Sequence, residues 1–207
     1  MTSPKPGVPP AATGRLPASV CVYCGSSNQA PAAHKALARA LGRQLAAAGI
    51  ALIYGGGKIG LMGQAADGAL EAGGRVIGII PRFLTQREVG NLEVSELVVT
   101  ETMHERKRIM AERAEAFVVL PGGLGTLDET FEILTWAQIG LHDKPVVLLN
   151  TEGFWDPLLA LLDRLEAAAY VRPEHRGLLR VVTSLEGLLP ALRLGRADGG
   201  EDRLERA

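Results

Sequence analysis

What this sequence lacks narrows it first. Its 22 basic and 23 acidic residues leave a formal net charge of -1, so no cationic surface for nucleic acid or anionic lipid is expected. No apolar run approaches the length of a bilayer span. The opening segment MTSPKPGVPPAATGRLPAS holds five prolines and no hydrophobic core. It reads as a disordered leader over 1–18 and not as a secretory signal, so a soluble, cytoplasmic protein is expected. Two cysteines, Cys21 and Cys24, cannot build a disulfide framework. Their CxxC spacing would suit redox or metal chemistry, but the surrounding VCVYC reads as strand. Residues three apart on a strand face opposite sides, so two buried free thiols are expected. His104 and His142 stand alone with no ligand spacing around them, and no metal site is expected.

What is present is apolar and periodic. With 207 residues and 47% hydrophobic content, the chain can bury one substantial core, expected over 19–194, followed by a charged, glycine-rich tail over 195–207. Short apolar runs at Val20–Tyr23, Ala51–Tyr54, Arg75–Ile80, Glu96–Val99, Ala116–Leu120, Lys144–Leu149 and Leu179–Val182 read as strands. Helical patterns lie between them, over Pro31–Ala48, Leu61–Glu71, Met103–Ala114, a stretch beyond Thr126, Trp155–Ala168 and Leu185–Leu192. Strands alternating with helices across short loops predict an α/β fold: a parallel, doubly wound, Rossmann-like sheet in three α/β/α layers, forming a single domain.

The segment AFVVLPGGLGTLDETFEILTWA, Ala116 to Ala137, organises the rest. An apolar strand ends at Leu120, glycines bare the backbone, and a helix follows with Leu127, Phe131 and Leu134 on one face. Such a turn directs unpaired N–H groups and the positive end of a helix dipole at its ligand, and phosphate suits it best. Thr126 and Glu129 admit two readings. Thr-x-x-Glu is a capping box, with Thr126 as N-cap. Alternatively Thr126 offers a hydroxyl to phosphate while Glu129 projects a carboxylate into the same pocket. The glycine-rich turn favours the second. In a first helical turn the dipole would keep that carboxylate ionised, fit to act as base, nucleophile or cation stabiliser.

Two further strand ends are small-residue turns, Gly25–Ser27 and Gly55–Gly60, and all three turns are expected to line one crevice. Gly55, Gly57 and Gly60 fit GxGxxG, but after the second strand and without the acidic ribose partner that a dinucleotide site needs. An oxidoreductase would rest on that weak fingerprint alone. Gly57-Lys58 is followed by Ile59, not the Ser or Thr of a P-loop. Close strand–helix packing competes evenly with a ligand role there. In Met103–Arg108, Glu105 and Arg108 are spaced for a local pair. Met103, Arg106 and Met110 share a face, which places an arginine among apolar neighbours, where it is more often functional or paired than idle.

The set GSS, YGGGxxGLMG, MHERK and PGGxGTxxE, in this order and spacing from Val20 to Leu192, resembles the Lonely Guy (LOG) family of cytokinin riboside 5′-monophosphate phosphoribohydrolases. Relatives also carry the label lysine decarboxylase, but nothing here marks a Schiff-base lysine or a pyridoxal ring partner. The resemblance implies hydrolysis of the N-glycosidic bond of a nucleoside 5′-monophosphate, giving free base and ribose 5-phosphate, with no cofactor. It implies Arg106 and Glu129 as the catalytic pair and Gly122, Gly123, Gly125 and Thr126 on the phosphate. Leu124, Leu127 and Asp128 of the same turn join Glu88, Lys107 and Thr135 as further substrate contacts, with a secondary pocket at Gly25, Ser26, Ser27, Gly56, Gly57 and Met103. Asp128 stands where many relatives have Glu, and His34 where they show an aromatic residue. The resemblance also implies a homodimer whose site borrows residues across the interface, with apolar helices around Trp136 and Leu161 as its surface. The competing function is a non-catalytic nucleotide or cofactor carrier on the same fold.

Overall fold

A computed structural model describes residues 14–85 and 90–195. The leader up to residue 13, Arg87 and Glu88 of the expected polar loop, and the tail from residue 196 lie outside the described residues. The chain runs β1 (Ser19–Tyr23), α1 (Ala32–Ala47), β2 (Ala51–Tyr54), α2 (Gly60–Glu71), β3 (Val76–Pro81), β4 (Glu96–Thr100), α3 (Met103–Arg113) and β5 (Ala116–Val119). It continues through α4 (Leu124–Gln138), β6 (Val146–Leu149), α5 (Asp156–Ala167), a short α6 (Pro173–Arg176), β7 (Leu179–Val182) and α7 (Leu188–Ala191). Single 3-10 turns at Arg82–Leu84, Thr151–Gly153 and Leu185–Gly187 punctuate the loops. Every expected strand is present, with bounds within two residues of expectation. The expected last helix is instead a 3-10 turn followed by α7, and α6 had no sequence signal beyond Pro173.

The seven strands form one parallel sheet in the order β4-β3-β2-β1-β5-β6-β7. The chain moves outward from β1 to β4, returns through α3 to lay β5 beside β1, and then moves outward the other way. Right-handed crossovers therefore place α1 and α2 on one face and α3, α4 and α5 on the other. Two apolar cores record this. Leu41, Leu45, Leu61 and Ala65 pack on one side, and Met110, Ile133 and Leu162 on the other. Strands β3, β5 and β6 are buried along their whole length, as runs such as VIGIIP and AFVV require. Edge strand β4 is half-exposed. Cys21 and Cys24 are free, buried and on opposite cores, as the strand spacing predicts.

Helices α1 and α2 approach closely because small residues meet where they cross. A Cβ at Gly42 would lie 2.1 Å from the Ala65 carbonyl oxygen. Residues 14–18, expected within the leader, are tied to the body. Arg15 bonds both Glu115 carboxylate oxygens at 2.8 and 3.0 Å, and the Ala18 N–H donates to the same group. No described helix is long and apolar enough to cross a membrane. The carboxyl ends of β1 and β5 meet where the winding reverses, the place where such sheets bind ligands.

Candidate active site

The β5–α4 turn is built to leave backbone donors bare. Gly123 is the N-cap of α4, no side chain caps it, and the first internal bond runs from the Leu127 N–H to the Gly123 carbonyl at 3.0 Å. The N–H groups of Leu124, Gly125 and Thr126 therefore have no acceptor within the helix. Thr126 is thus the third helical residue and not the N-cap, and the capping box does not form. Glu129 lies beyond the first turn, which contains no acidic residue, so the dipole is not what supports its charge. Gly122 is glycine because a Cβ there would lie 2.0 Å from the Thr126 hydroxyl. A Cβ at Gly123 or Gly125 would meet nothing within 4 Å. Packing does not demand glycine at those two positions, which face open space.

The second glycine turn differs. At the start of α2, the Gly60 N–H donates to Asn28 Oδ1 at 2.9 Å and the Leu61 N–H to the Gly25 carbonyl at 2.9 Å. Its first two donors are spent on the β1 loop. Gly56 and Gly57 do not line the cleft, contrary to the expected secondary pocket; Gly57 pairs instead with Gly90 across an isolated bridge. Gly55 serves Arg106, since a Cβ there would fall 2.0 Å from its Nη2. The structural reading of this GxGxxG accounts for its glycines.

Between these turns lies a cleft of about 470 Å³, within the range of small-ligand sites. Gly25, Ser26 and Ser27 line one wall, Gly122 to Thr126 another, and Met103, Arg106, Asp128 and Glu129 a third. Arg106 is 5% exposed and its Nη2 stands 3.9 Å from Glu129 Oε1. At that distance the two charges compensate without a direct hydrogen bond. The guanidinium also reaches the Gly55 carbonyl at 3.3 Å and the Met103 sulfur at 3.8 Å, while its buried Nε has no partner. Helix α3 is fixed by a cap of its own. Thr102 Oγ1 accepts the Glu105 N–H, and Glu105 reaches back to the Glu101 N–H. Glu105 therefore does not pair with Arg108, which bonds Glu112 at 2.6 Å.

The family-model and sequence comparisons agree. A family model described as possible lysine decarboxylase matches residues 62–192. A probable cytokinin riboside 5′-monophosphate phosphoribohydrolase of Oryza sativa subsp. japonica is 48% identical over 159 residues, covering 77% of this chain and 70% of that protein. A cytokinin riboside 5′-monophosphate phosphoribohydrolase of Rhodococcoides fascians is 40% identical over 192 residues, covering 92% and 97%. The chain belongs to the LOG family. Among solved structures, the molybdenum cofactor carrier protein of Chlamydomonas reinhardtii superposes on this LOG chain with a TM-score of 0.63 at 29% identity, covering 84% and 93%. Despite the label on the family model, none of the four described lysines lines the LOG cleft, so a pyridoxal imine would have no anchor there.

Several expected contacts are not brought to this cleft. Lys107 bonds Asp128 at 3.1 Å and Glu132 at 2.9 Å, and of these three only Asp128 lines the cleft. Partial burial works against its charge, but those bonds outweigh it and hold the ammonium above the ordinary lysine value. Leu127 packs into the core under α4, and the exposed Thr135 spends its hydroxyl on the Phe131 carbonyl at 2.7 Å. Glu88 lies outside the described residues. Conversely, Cys24 and Phe154 line the cleft without having been expected there. Burial, with the Glu129 carboxylate adding to it, pushes the Cys24 thiol far above its usual range, so it stays protonated and inert. Phe154 follows β6 by a strained turn in which Glu152 adopts φ 54°, and strand–helix periodicity carries no signal for such a turn.

Proposed function

We propose that this protein hydrolyses the N-glycosidic bond of cytokinin or adenine nucleoside 5′-monophosphates, releasing the free base and ribose 5-phosphate. One observation carries the reading: a carboxylate, Glu129, faces a buried arginine in the same cleft as an uncapped helix terminus. The phosphate sits over the N–H groups of Leu124, Gly125 and Thr126, where donors and dipole favour an anion. The ribose then lies against Arg106 and Glu129. As the C1′–N bond breaks, positive charge grows on the sugar. Glu129 stabilises that charge and takes a proton from the attacking water, while Arg106 orients substrate beside the carboxylate.

The solved neighbours named as molybdenum cofactor carriers favour a second reading, a non-catalytic carrier of a phosphate-bearing ligand. A carrier has no need of Glu129, whose charge repels phosphate. Incubation with AMP and with isopentenyladenosine monophosphate tests the choice. Free base appearing in proportion to ribose 5-phosphate supports hydrolysis, whereas tight binding with the nucleotide recovered intact supports the carrier.

The protein acts in this reading as a cytoplasmic homodimer. Leu124, Phe131 and Ile139 are 86%, 38% and 63% exposed, and their spacing of seven and eight residues sets them in one stripe along α4. The stripe begins at the rim of the cleft, since Leu124 lines both. A second copy covering it would close the site. Thr135, on the same stripe, would meet substrate only across that interface.

A further inference from the structure

Hydrolysis leaves a purine that must be protonated as it departs, and nothing assigned so far supplies that proton. We propose that His34 is the acid that protonates the leaving base. The inference rests on the glycosidic-hydrolysis reading above. With the phosphate at the start of α4 and the ribose against Arg106 and Glu129, the rest of the cleft lining receives the base. That lining includes Ala30, Pro31, Leu61, Met62, Leu84 and Phe154, all apolar, together with His34.

The imidazole is held for a purpose other than packing. His34 is 8% exposed, and among the described residues neither ring nitrogen has a hydrogen-bond partner. Neither nitrogen is among the buried unpartnered atoms, so both reach the open space of the cleft, where a ligand can complete them. His142 provides the contrast. Its Nε2 meets the Ile133 carbonyl at 2.9 Å and its Nδ1 accepts the Lys144 N–H at 3.1 Å, as befits a structural histidine. The orientation of His34 is set by an aromatic relay. Its ring stands edge-on to Phe154 at 5.3 Å and 86°, and Phe154 stands edge-on to Trp155 at 4.8 Å. Asn150 anchors this relay by accepting the Trp155 backbone N–H at 2.8 Å and donating its amide N–H to Asp156 at 2.8 Å.

Among the described residues, no other cleft group suits the task. The Cys24 thiol is held protonated by burial, Asp128 is paired with Lys107, Glu129 is committed to the sugar, and a guanidinium does not give up its proton. Imidazole exchanges its proton near neutrality. In the step proposed, the C1′–N bond breaks and its electron pair passes to the purine. The His34 imidazolium transfers its proton to a ring nitrogen of that base. Water adds to C1′ and gives a proton to Glu129. Solvent then reprotonates His34 and deprotonates Glu129, so nucleotide and water become base and ribose 5-phosphate.

Leaving-group dependence tests this. Nitrophenolate departs without protonation, so 4-nitrophenyl β-D-ribofuranoside 5-phosphate bypasses an acid catalyst. His34→Gln is expected to lose about 100-fold or more in kcat/KM on AMP while its turnover of the nitrophenyl substrate stays within about threefold of wild type. Equal loss on both substrates with an unchanged melting temperature, or full activity on AMP, would overturn the assignment. Should His34→Gln melt early, His34→Asn is read by the same two criteria. Glu129→Gln, by contrast, is expected to fail on both substrates. Wild-type protein that releases nothing from either substrate overturns the hydrolase reading itself. Activity in the wild type with an indifferent His34→Gln overturns the acid assignment alone.

Discussion

Gly125→Ala separates the anion cradle's part in binding from its part in folding. Gly125 is the second residue of α4, with no atom within 4 Å of a built Cβ, so the methyl enters without a clash. Alanine in a helix reduces the freedom of the unfolded chain and is worth about 0.4–1 kcal/mol. For a chain of this length that raises Tm by about 1–4 °C. The same methyl stands in the cleft beside the bare N–H groups of Leu124 and Thr126. Displacing a phosphate from one charge-assisted hydrogen bond costs about 1.5–3 kcal/mol, or about a 10- to 150-fold rise in KM for AMP. The variant is therefore more stable and binds worse. Gly122→Ala is its counterpart: its Cβ would lie 2.0 Å from the Thr126 hydroxyl, and overpacking of that kind costs about 1–3 kcal/mol. Thermal melts and steady-state base release on the two variants make the comparison. A Gly125→Ala protein with wild-type KM would refute the placement of phosphate over this turn, whatever its Tm.

Burial raises the Cys21 and Cys24 thiols well above the ordinary thiol range. Folding stability from these groups is therefore present in full below about pH 9 and falls as pH rises, because the unfolded chain releases thiol protons that the fold retains. Each thiol contributes a slope approaching about 1.4 kcal/mol per pH unit, and urea melts at pH 8 and 10 on wild type and Cys21→Ala/Cys24→Ala measure it; identical slopes would contradict the burial argument. A thiol reagent such as dithionitrobenzoate should leave both cysteines unmodified until the protein is denatured. Phe131→Asp places a charge in the exposed stripe of α4 and is expected to halve the mass seen by sedimentation while leaving the melting profile cooperative; an unchanged mass would move the dimer surface elsewhere.

The winding of the chain was legible because its strands are continuous apolar runs and its breaks are glycines. The helix after β5 starts earlier than its periodicity predicts, and of the predicted face Leu127 and Leu134 pack inward while Phe131 does not. Its first turn begins at Leu124 because the glycine N–H groups themselves open the helix, so Thr126 lies inside it. Thr126, Thr130 and Ile133 form the buried side, while Phe131 faces outward, since a stripe reserved for another surface has the same periodicity as one facing the core. The two glycine turns look alike in sequence, and what distinguishes them is long-range: Asn28 and Gly25 occupy the first two donors of α2, while the first donors of α4 stay bare. Likewise Phe154 meets His34 from a loop on the far side of the sheet order, a contact that no local spacing encodes.

The most direct measurement is a single-turnover reaction of AMP with an excess of protein, quenched and separated to quantify adenine, ribose 5-phosphate and remaining nucleotide, for wild type and Glu129→Gln. On the hydrolase reading, wild type converts the nucleotide to equal amounts of adenine and ribose 5-phosphate, while Glu129→Gln retains bound AMP and forms products slower by about 100-fold or more. Intact AMP recovered from wild-type protein, or unimpaired conversion by Glu129→Gln, would contradict it.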